Sequence, residues 1–271
     1  MINRQLTIII NTFNSSDKIF SCLDSIGSNY KILIVENSND KSFKTKLEKK
    51  YKNVKCYLTK QNLGYAKGNN FGLKLVKTKY ALILNPDTIL NKNSLKNFFN
   101  FTKKIKDFSI VGPFDKINKK NPYEVDNIKG FAMFLKMQDF SKLGFFDENF
   151  FIYFEEIDLC RRLKKNKKKI YIDPSIKISH IGGSSHNSNI NFEMELSRNW
   201  HWMWSSFYYE KKYYGFLLAT LKFIPKLFTS MIKFLFFSIT LNKSKMLIYF
   251  QRMSGIFTSI LNMPSYYRPK I

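Results

Sequence analysis

Apolar residues in the first third of the chain fall into short runs, each closed by polar residues. "QLTIII" (5–10), "KILIVE" (31–36), "NVKCYL" (53–58) and "YALILN" (80–85) are the clearest. Their β-branched, near-continuous character predicts strands covered on both faces. Helix-like stretches lie between them, near 16–26, 41–51 and 66–77. Strands alternating with helices predict βαβ units around a mostly parallel sheet, an α/β fold. "GFAMFLK" (130–136) reads as a further strand, and 112–124 as a hairpin or loop. From about residue 189 the pattern turns helical and aromatic, which predicts an α/β domain over 1–188 and a helical region over 189–271.

Open parallel sheets bind ligands beyond the carboxyl ends of their strands. Here those ends are polar. The first strand exits into "NTFN" (11–14), carrying Thr12 and Asn14. The second exits into "ENSND" (36–40), carrying Glu36 and Asn37, and the fourth into "NPDT" (85–88), carrying Asn85 and Asp87. The third helix is entered through "QNLGYAKGNN" (61–70), with Asn62, Gly64, Lys67, Gly68 and Asn69. Glycine lets backbone approach a ligand closely, and a helix N-terminus offers N–H groups to an anion. Taken one at a time these are ordinary loop residues. Together on one sheet edge they favour a nucleotide-type pocket. A carboxylate facing an anionic ligand there, Asp87, is explained by a bridging Mg²⁺ or Mn²⁺.

In the helical region Lys222, Lys226 and Lys233 form one narrow stripe, with Thr229 alongside, opposite Leu218, Ile224, Phe228 and Leu235. No charge-free run between 213 and 241 reaches the roughly 20 residues needed to span a bilayer. The pattern instead suits an in-plane helix on an anionic membrane surface. A helix packed on the catalytic domain, or on a second copy of the chain as a homodimer, is the alternative. Pro225 kinks either one.

Charge sharpens the choice of partner. With 45 basic and 20 acidic residues the formal charge is +25, which favours anionic partners. Only six of the basic residues are Arg, and no zinc-finger or RRM-type motif appears. Nucleic-acid readers lean on Arg forks, so nucleic acid is not the expected partner. The three cysteines are scattered without metal-ligand spacing, and the chain opens without a signal-peptide pattern. Both point to reduced thiols and a cytoplasmic address.

Against this basic background, "FIYFEEIDLCRR" (151–162) concentrates Glu155, Glu156 and Asp158 directly after aromatics. Acids in a first helical turn suit the macrodipole, and Asp158 with Arg162 has i,i+4 spacing for a surface pair. These account for some of the charge, and less well for acids that follow an apolar run delivering them to an interior edge. A partly desolvated carboxylate there has a raised pKa and serves as a general base. His180, in "SHIGGSSH", ends a β-type run before two glycines, which suits an imidazole ligand on a gating loop.

In this order, "TIIINTFN", "ILIVENSND", "QNLGYAKGNNFGL", "ALILNPDTIL", "GFAMFLK", "LGFFDENFFIYFEEIDLCRRL" and "ISHIGGSS" resemble the GT-A fold, inverting family 2 glycosyltransferases. The likeness is greatest to the rhamnosyltransferase-like branch of bacterial surface-polysaccharide synthesis, whose helical tail "RNWHWMWSSFYYEKKYYG" also resembles. The resemblance implies a Rossmann-like central sheet flanked by helices, with the C-terminal region as an amphipathic appendage. It implies that Thr12, Asn14 and Glu36 hold base and ribose, and that Asn62, Gly64, Lys67 and Asn69 line the donor pocket. "NPD" stands where the family carries its DxD motif, so Asp87 would bind the metal, with Asn85 beside it and His180 as a further ligand. Glu156 falls where the family has its aspartate base, with Asp158 second in line and Glu155 orienting the site. Two departures from the family are Glu156 and Glu36, each replacing Asp with one more methylene.

The function so implied is transfer of a sugar, rhamnose by branch, from a nucleoside-diphosphate donor to a glycan or lipid-linked acceptor. It would take place at the inner face of the cell membrane. The competing readings are a non-catalytic nucleotide-sugar binder, a sugar nucleotidyltransferase and a glycosidase. The second lacks here its Gly-rich, Arg- and Lys-bearing opening loop. The third would use two carboxylates without any nucleotide pocket.

Overall fold

The structure, a computed structural model, describes residues 2–15, 18–114, 119–180 and 190–269. The first part alternates as its hydrophobic pattern dictates: β1 (Leu6–Thr12), α1 (Ile19–Ile26), β2 (Lys31–Glu36), α2 (Lys41–Lys50), β3 (Val54–Leu58), α3 (Gly64–Lys74) and β4 (Tyr80–Leu84). Then come β5 (Thr88–Leu90), α4 (Ser94–Lys104), β6 (Ile110–Gly112), β7 (Tyr123–Glu124), β8 (Ala132–Lys136), α5 (Phe140–Leu143), α6 (Glu155–Lys165), β9 (Ile170–Ile172) and β10 (Ile178–His180). The sheet order is β3-β2-β1-β4-β8-β6-β9-β7, with β5 and β10 forming a separate two-stranded ribbon. β3, β2, β1 and β4 are parallel. β8 runs antiparallel to both β4 and β6, and β7 antiparallel to β9.

Local chemistry sets the boundaries. α2 starts where Asp40 Oδ1 accepts the Phe43 N–H at 2.8 Å, an N-cap that satisfies an otherwise orphaned donor. α3 begins earlier than its apolar spacing predicts, because Asn62 Oδ1 accepts the Gly64 N–H at 3.0 Å. β1 runs two residues past its apolar stretch, since Asn11 and Thr12 stay in register with Val35 and Glu36. Ile8, Ile10, Ile32, Ile34, Leu82 and Leu84 are buried in one core with Phe98 and Phe134, whose rings stack at 4.9 Å. Gly72 brings α3 onto the other sheet face: a Cβ there would lie 2.6 Å from Ile9 Cγ2.

The described chain divides into two compact units, 1–147 with 156–187 and 148–155 with 188–271. This differs from a simple cut near residue 188, because the aromatic segment 148–155 belongs with the C-terminal helices. Those helices are α7 (Asn191–Tyr214), α8 (Phe216–Ile239) and α9 (Lys243–Ile260). Met203 and Phe207 of α7, Ala219 and Phe223 of α8 and Ile256 of α9 form their common core.

α8 is apolar on two faces, where one had been expected. Ala219, Phe223 and Ser230 are buried, while Leu221, Ile224, Phe228, Ile232 and Leu235 are exposed. At 3.6 residues per turn the exposed set points directly away from the buried one. Lys222, Lys226 and Lys233 flank the seam between them. Among the described residues no helix is long and apolar enough to cross a membrane. Cys22, Cys56 and Cys160 are free and buried, and burial pushes their thiols up to about 11 or 12, which leaves them unreactive.

Candidate active site

Parallel pairing puts the ends of β1, β2 and β4 at one rim. Thr12 lies opposite Glu36, and its hydroxyl donates to Glu36 Oε2 at 2.6 Å. Glu36 is buried, and desolvation raises its pKa above the ordinary range against hydrogen bonds from Thr12, Ser38 and the Asn14 backbone. Asn14 takes a left-handed backbone (φ 49°), a conformation Asn tolerates well. Asn37 and Asn69 are buried and Lys67 is exposed. Asn69 Nδ2 donates to Tyr65 O at 2.9 Å, while its buried Oδ1 accepts no hydrogen bond from the described residues.

A residue absent from the sequence-level site, Asn11, ties this rim together. Its Oδ1 accepts from Asn37 Nδ2 at 2.5 Å and its Nδ2 donates to Gly64 O at 3.0 Å. Asn37 Oδ1 in turn accepts the Leu63 N–H at 3.2 Å. Two strand ends and the start of α3 are thus joined by side-chain amides. Gly68 is the condition for this: a Cβ there would fall 2.3 Å from Asn11 Oδ1. Asn11 sits at the end of an apolar strand beside Thr12, and its polarity there was the available signal.

At the adjoining strand end, Pro86 stops β4 and the chain turns into β5, which pairs antiparallel with β10. That register sets His180 opposite Thr88 and brings His180 Nε2 to 3.4 Å from Asp87 Oδ1. Asn85 Nδ2 lies 3.5 Å from the same nitrogen. Phe131 stacks on the imidazole at 4.6 Å and 7°, fixing its plane, and was not foreseen from the sequence. His180 and Phe131 also line a cavity of about 240 Å³ with Phe114, Ile128, Lys129 and Ile178. A buried carboxylate beside an imidazole and an amide is an oxygen and nitrogen donor set that suits Mg²⁺ or Mn²⁺. Among the described residues no three His, Cys, Asp or Glu cluster as a metal cage. Such an ion would therefore take its remaining ligands from phosphate and water, as Mg²⁺ commonly does. The glycine-rich continuation after His180, expected as a gating loop, lies outside the described residues.

The acidic cluster opens α6. Its approach is strained: Tyr153 (φ 72°) and Phe154 (φ 69°) are consecutive left-handed aromatics, each costing about 1–3 kcal/mol unless its surroundings impose it. Glu155 is buried. Glu156 is partly open to solvent, yet dense protein around it raises its pKa by desolvation. Asp158 is fully buried and accepts from Arg162 Nε at 2.8 Å. Arg162 also donates to Leu143 O at 3.0 Å and to Phe145 O. The i,i+4 pair expected on the surface is therefore an interior lock between α6 and the end of α5. Glu156 is carried by α6, whereas Asp87 and His180 meet where β5 pairs with β10.

The pattern of glycosyl transferase family 2 matches residues 7–171, which carry all of these features except β10 with its Ile178 and His180. The chain belongs to that family. Within family 2, it is 25% identical to the rhamnosyltransferase WbbL of Escherichia coli (strain K12) over 239 residues, covering 72% of this chain and 88% of WbbL. It is 23% identical to the low-salt glycan biosynthesis hexosyltransferase Agl10 of Haloferax volcanii over 197 residues, covering 61% of this chain and 63% of Agl10. The match thus spans less than two thirds of Agl10. Among solved structures, the mannosyltransferase PcManGT from Pyrobaculum calidifontis, in complex with GDP-Man and Mn²⁺, aligns with TM-score 0.60 at 10% identity. That alignment covers 95% of this family 2 chain and 87% of PcManGT. The fold is GT-A.

Proposed function

We propose that this protein is an inverting glycosyltransferase of surface-polysaccharide synthesis. It moves a sugar from a nucleoside-diphosphate donor to a hydroxyl of a glycan or lipid-linked acceptor. The observation that carries the reading is the meeting of Asp87, Asn85 and His180 at the carboxyl rim of the sheet. The similarity to WbbL favours rhamnose as the sugar.

Thr12, Asn14, Glu36 and Asn37 bind base and ribose; Asn62, Gly64, Lys67 and Asn69 line the diphosphate and sugar. Asp87 and His180 would hold a divalent ion, Mn²⁺ or Mg²⁺, which when bound would supply Lewis-acid stabilisation of the leaving diphosphate on the order of several kcal/mol. Glu156 takes the proton from the acceptor hydroxyl as its oxygen bonds to the anomeric carbon. The bond from that carbon to the diphosphate breaks, its electron pair leaves with the nucleotide, and the anomeric configuration inverts. General-base help of this kind is worth roughly 10²–10⁴ in rate. Asp158 is occupied by Arg162, which favours Glu156 as the base and leaves Glu155 to orient it.

The second unit carries the contact with an anionic membrane, at the inner face of the cell membrane where a lipid-linked acceptor lies. Residues 211–271 hold ten Lys and Arg and no Asp or Glu. They also present the outward apolar face of α8, with Phe228 57% and Leu235 53% exposed. Glu210 of α7 pairs with Lys222, and the remaining basic residues around the apolar stripe match lipid headgroups over acyl chains.

The test is a thermal-shift panel of UDP, GDP, dTDP and their sugar derivatives, with and without Mn²⁺. Stabilisation by one nucleotide that grows with Mn²⁺ is expected. No stabilisation by any of them with Mn²⁺ present overturns the enzyme reading.

A further inference from the structure

The aromatic run ahead of the acidic cluster is held by α7 and the C-terminal tail, residue by residue. Trp202 touches both strained side chains: its ring lies 5.3 Å from Tyr153, edge-on, and 5.4 Å from Phe154. Two turns further along α7, Tyr209 meets Phe154 at 5.5 Å. Ser205 Oγ donates to Ile152 O at 2.9 Å. Phe151 is sandwiched between the His201 ring at 4.4 Å and the Arg268 guanidinium at 3.9 Å.

Two bulky residues in sequence at positive φ do not persist unless their surroundings impose it. Relief by rotation back to negative φ would redirect the chain into Glu155 and Glu156, because these residues follow at once and begin α6. Trp202 bridges both strained rings. It is also 48% exposed, whereas its neighbours Trp200 and Trp204 are buried in the same helix. A half-exposed indole adds little to the core, so core packing does not account for its place.

We propose that Trp202 is a positioning residue: it clamps Tyr153 and Phe154 in their left-handed conformation and thereby fixes the direction in which the general base Glu156 leaves the aromatic segment. The proposal rests on the assignment of Glu156 as base. His201, which holds Phe151, is driven by burial to a pKa of about 3 and stays neutral, so the clamp works unchanged across the physiological range. The sequence then has its reason for placing acids after aromatics: the rings serve as the jig.

The experiment uses the full chain labelled with ¹³C at Glu carboxyls, and compares the parent, Trp202→Ala and Trp202→Phe. The Glu156 resonance is assigned by its loss in Glu156→Gln. Turnover is read as nucleoside-diphosphate release from UDP-glucose, GDP-mannose or dTDP-rhamnose, whichever stabilises the protein. In Trp202→Ala the Glu156 titration should move down toward the ordinary carboxylate range. Turnover should fall about tenfold or more with donor KM unchanged, the scale of a catalytic group displaced by part of an ångström. Trp202→Phe, which keeps a ring between the two, should restore both. A folded Trp202→Ala with unchanged Glu156 titration and turnover overturns the proposal. Absence of turnover in the parent would count against the enzyme reading alone, because the titration still decides the clamp.

Discussion

His180 Nε2 stands 3.4 Å from Asp87 Oδ1, although His180 ends β10 and Asp87 lies in the turn just before β5, 93 positions away in the chain. The pairing of β5 with β10 makes this meeting obligatory, since His180 lies opposite Thr88, the residue after Asp87. Asp87→Asn keeps the shape and removes the charge, so it should fold and lose the Mn²⁺-dependent part of nucleotide stabilisation. His180→Ala should lose it partly. Isothermal titration of the stabilising nucleotide with and without Mn²⁺ measures both. An Asp87→Asn protein that retains full metal-dependent binding would show that the pair is structural.

The alternation of strands and helices and the rim that collects Thr12, Glu36 and Asp87 were legible in sequence, because continuous apolar runs and their polar exits are local signals. The meeting of Asp87 with His180 came only through resemblance, since residue type does not reveal which distant strands pair. Asn11 was missed for a related reason: its partners Asn37 and Gly64 come from other elements. The allegiance of 148–155 was hidden too. Its aromatics look the same in sequence whether they pack on the sheet or on α7. Asp158 with Arg162 had the right spacing but the wrong environment, because i,i+4 geometry does not say which helix face is covered.

Glu156→Gln should cut transfer by about 10²–10⁴ while leaving donor binding intact. A base must be deprotonated to act, and desolvation holds the Glu156 pKa above its ordinary value of 4.5. The rate should therefore rise with pH through a limb lying above 4.5. Cys160, whose thiol the Glu156 charge pushes further up, stays protonated there and does not contribute to the limb. A kcat/KM profile that stays flat to below pH 4.5, or a Glu156→Gln variant with full activity, would remove Glu156 from the base role.

Glu36 makes a prediction about stability. Its pKa is raised in the folded protein, so the folded state holds its proton more tightly than the unfolded chain. Its contribution is then fully present below 4.5 and lost as pH rises through the folded pKa. Glu36→Gln has no such loss and should gain stability relative to the parent as pH climbs from 4 to 8, while binding nucleotide less tightly. Urea unfolding across that range reads the first effect and calorimetry the second. Equal pH dependence in both proteins would mean that Glu36 is not desolvated.

The outward face of α8 decides between lipid and a second copy of the chain. Inserting a Leu or Phe side chain into an apolar phase gains about 1.5–3 kcal/mol, whereas one Lys at an anionic surface gains about 1 kcal/mol. Several such apolar residues outweigh the three lysines, so the apolar face should control binding and the lysines should tune it. Phe228→Lys combined with Leu235→Lys leaves the inner seam of Ala219, Phe223 and Ser230 untouched and should not disturb folding. The parent should float with liposomes rich in phosphatidylglycerol and less with phosphatidylcholine alone, and lose part of that binding at high salt. The double variant should stay at the bottom of the gradient with unchanged circular dichroism. A parent that does not float, yet runs as a dimer that the same two substitutions make monomeric, would assign this face to a second copy and end the membrane reading.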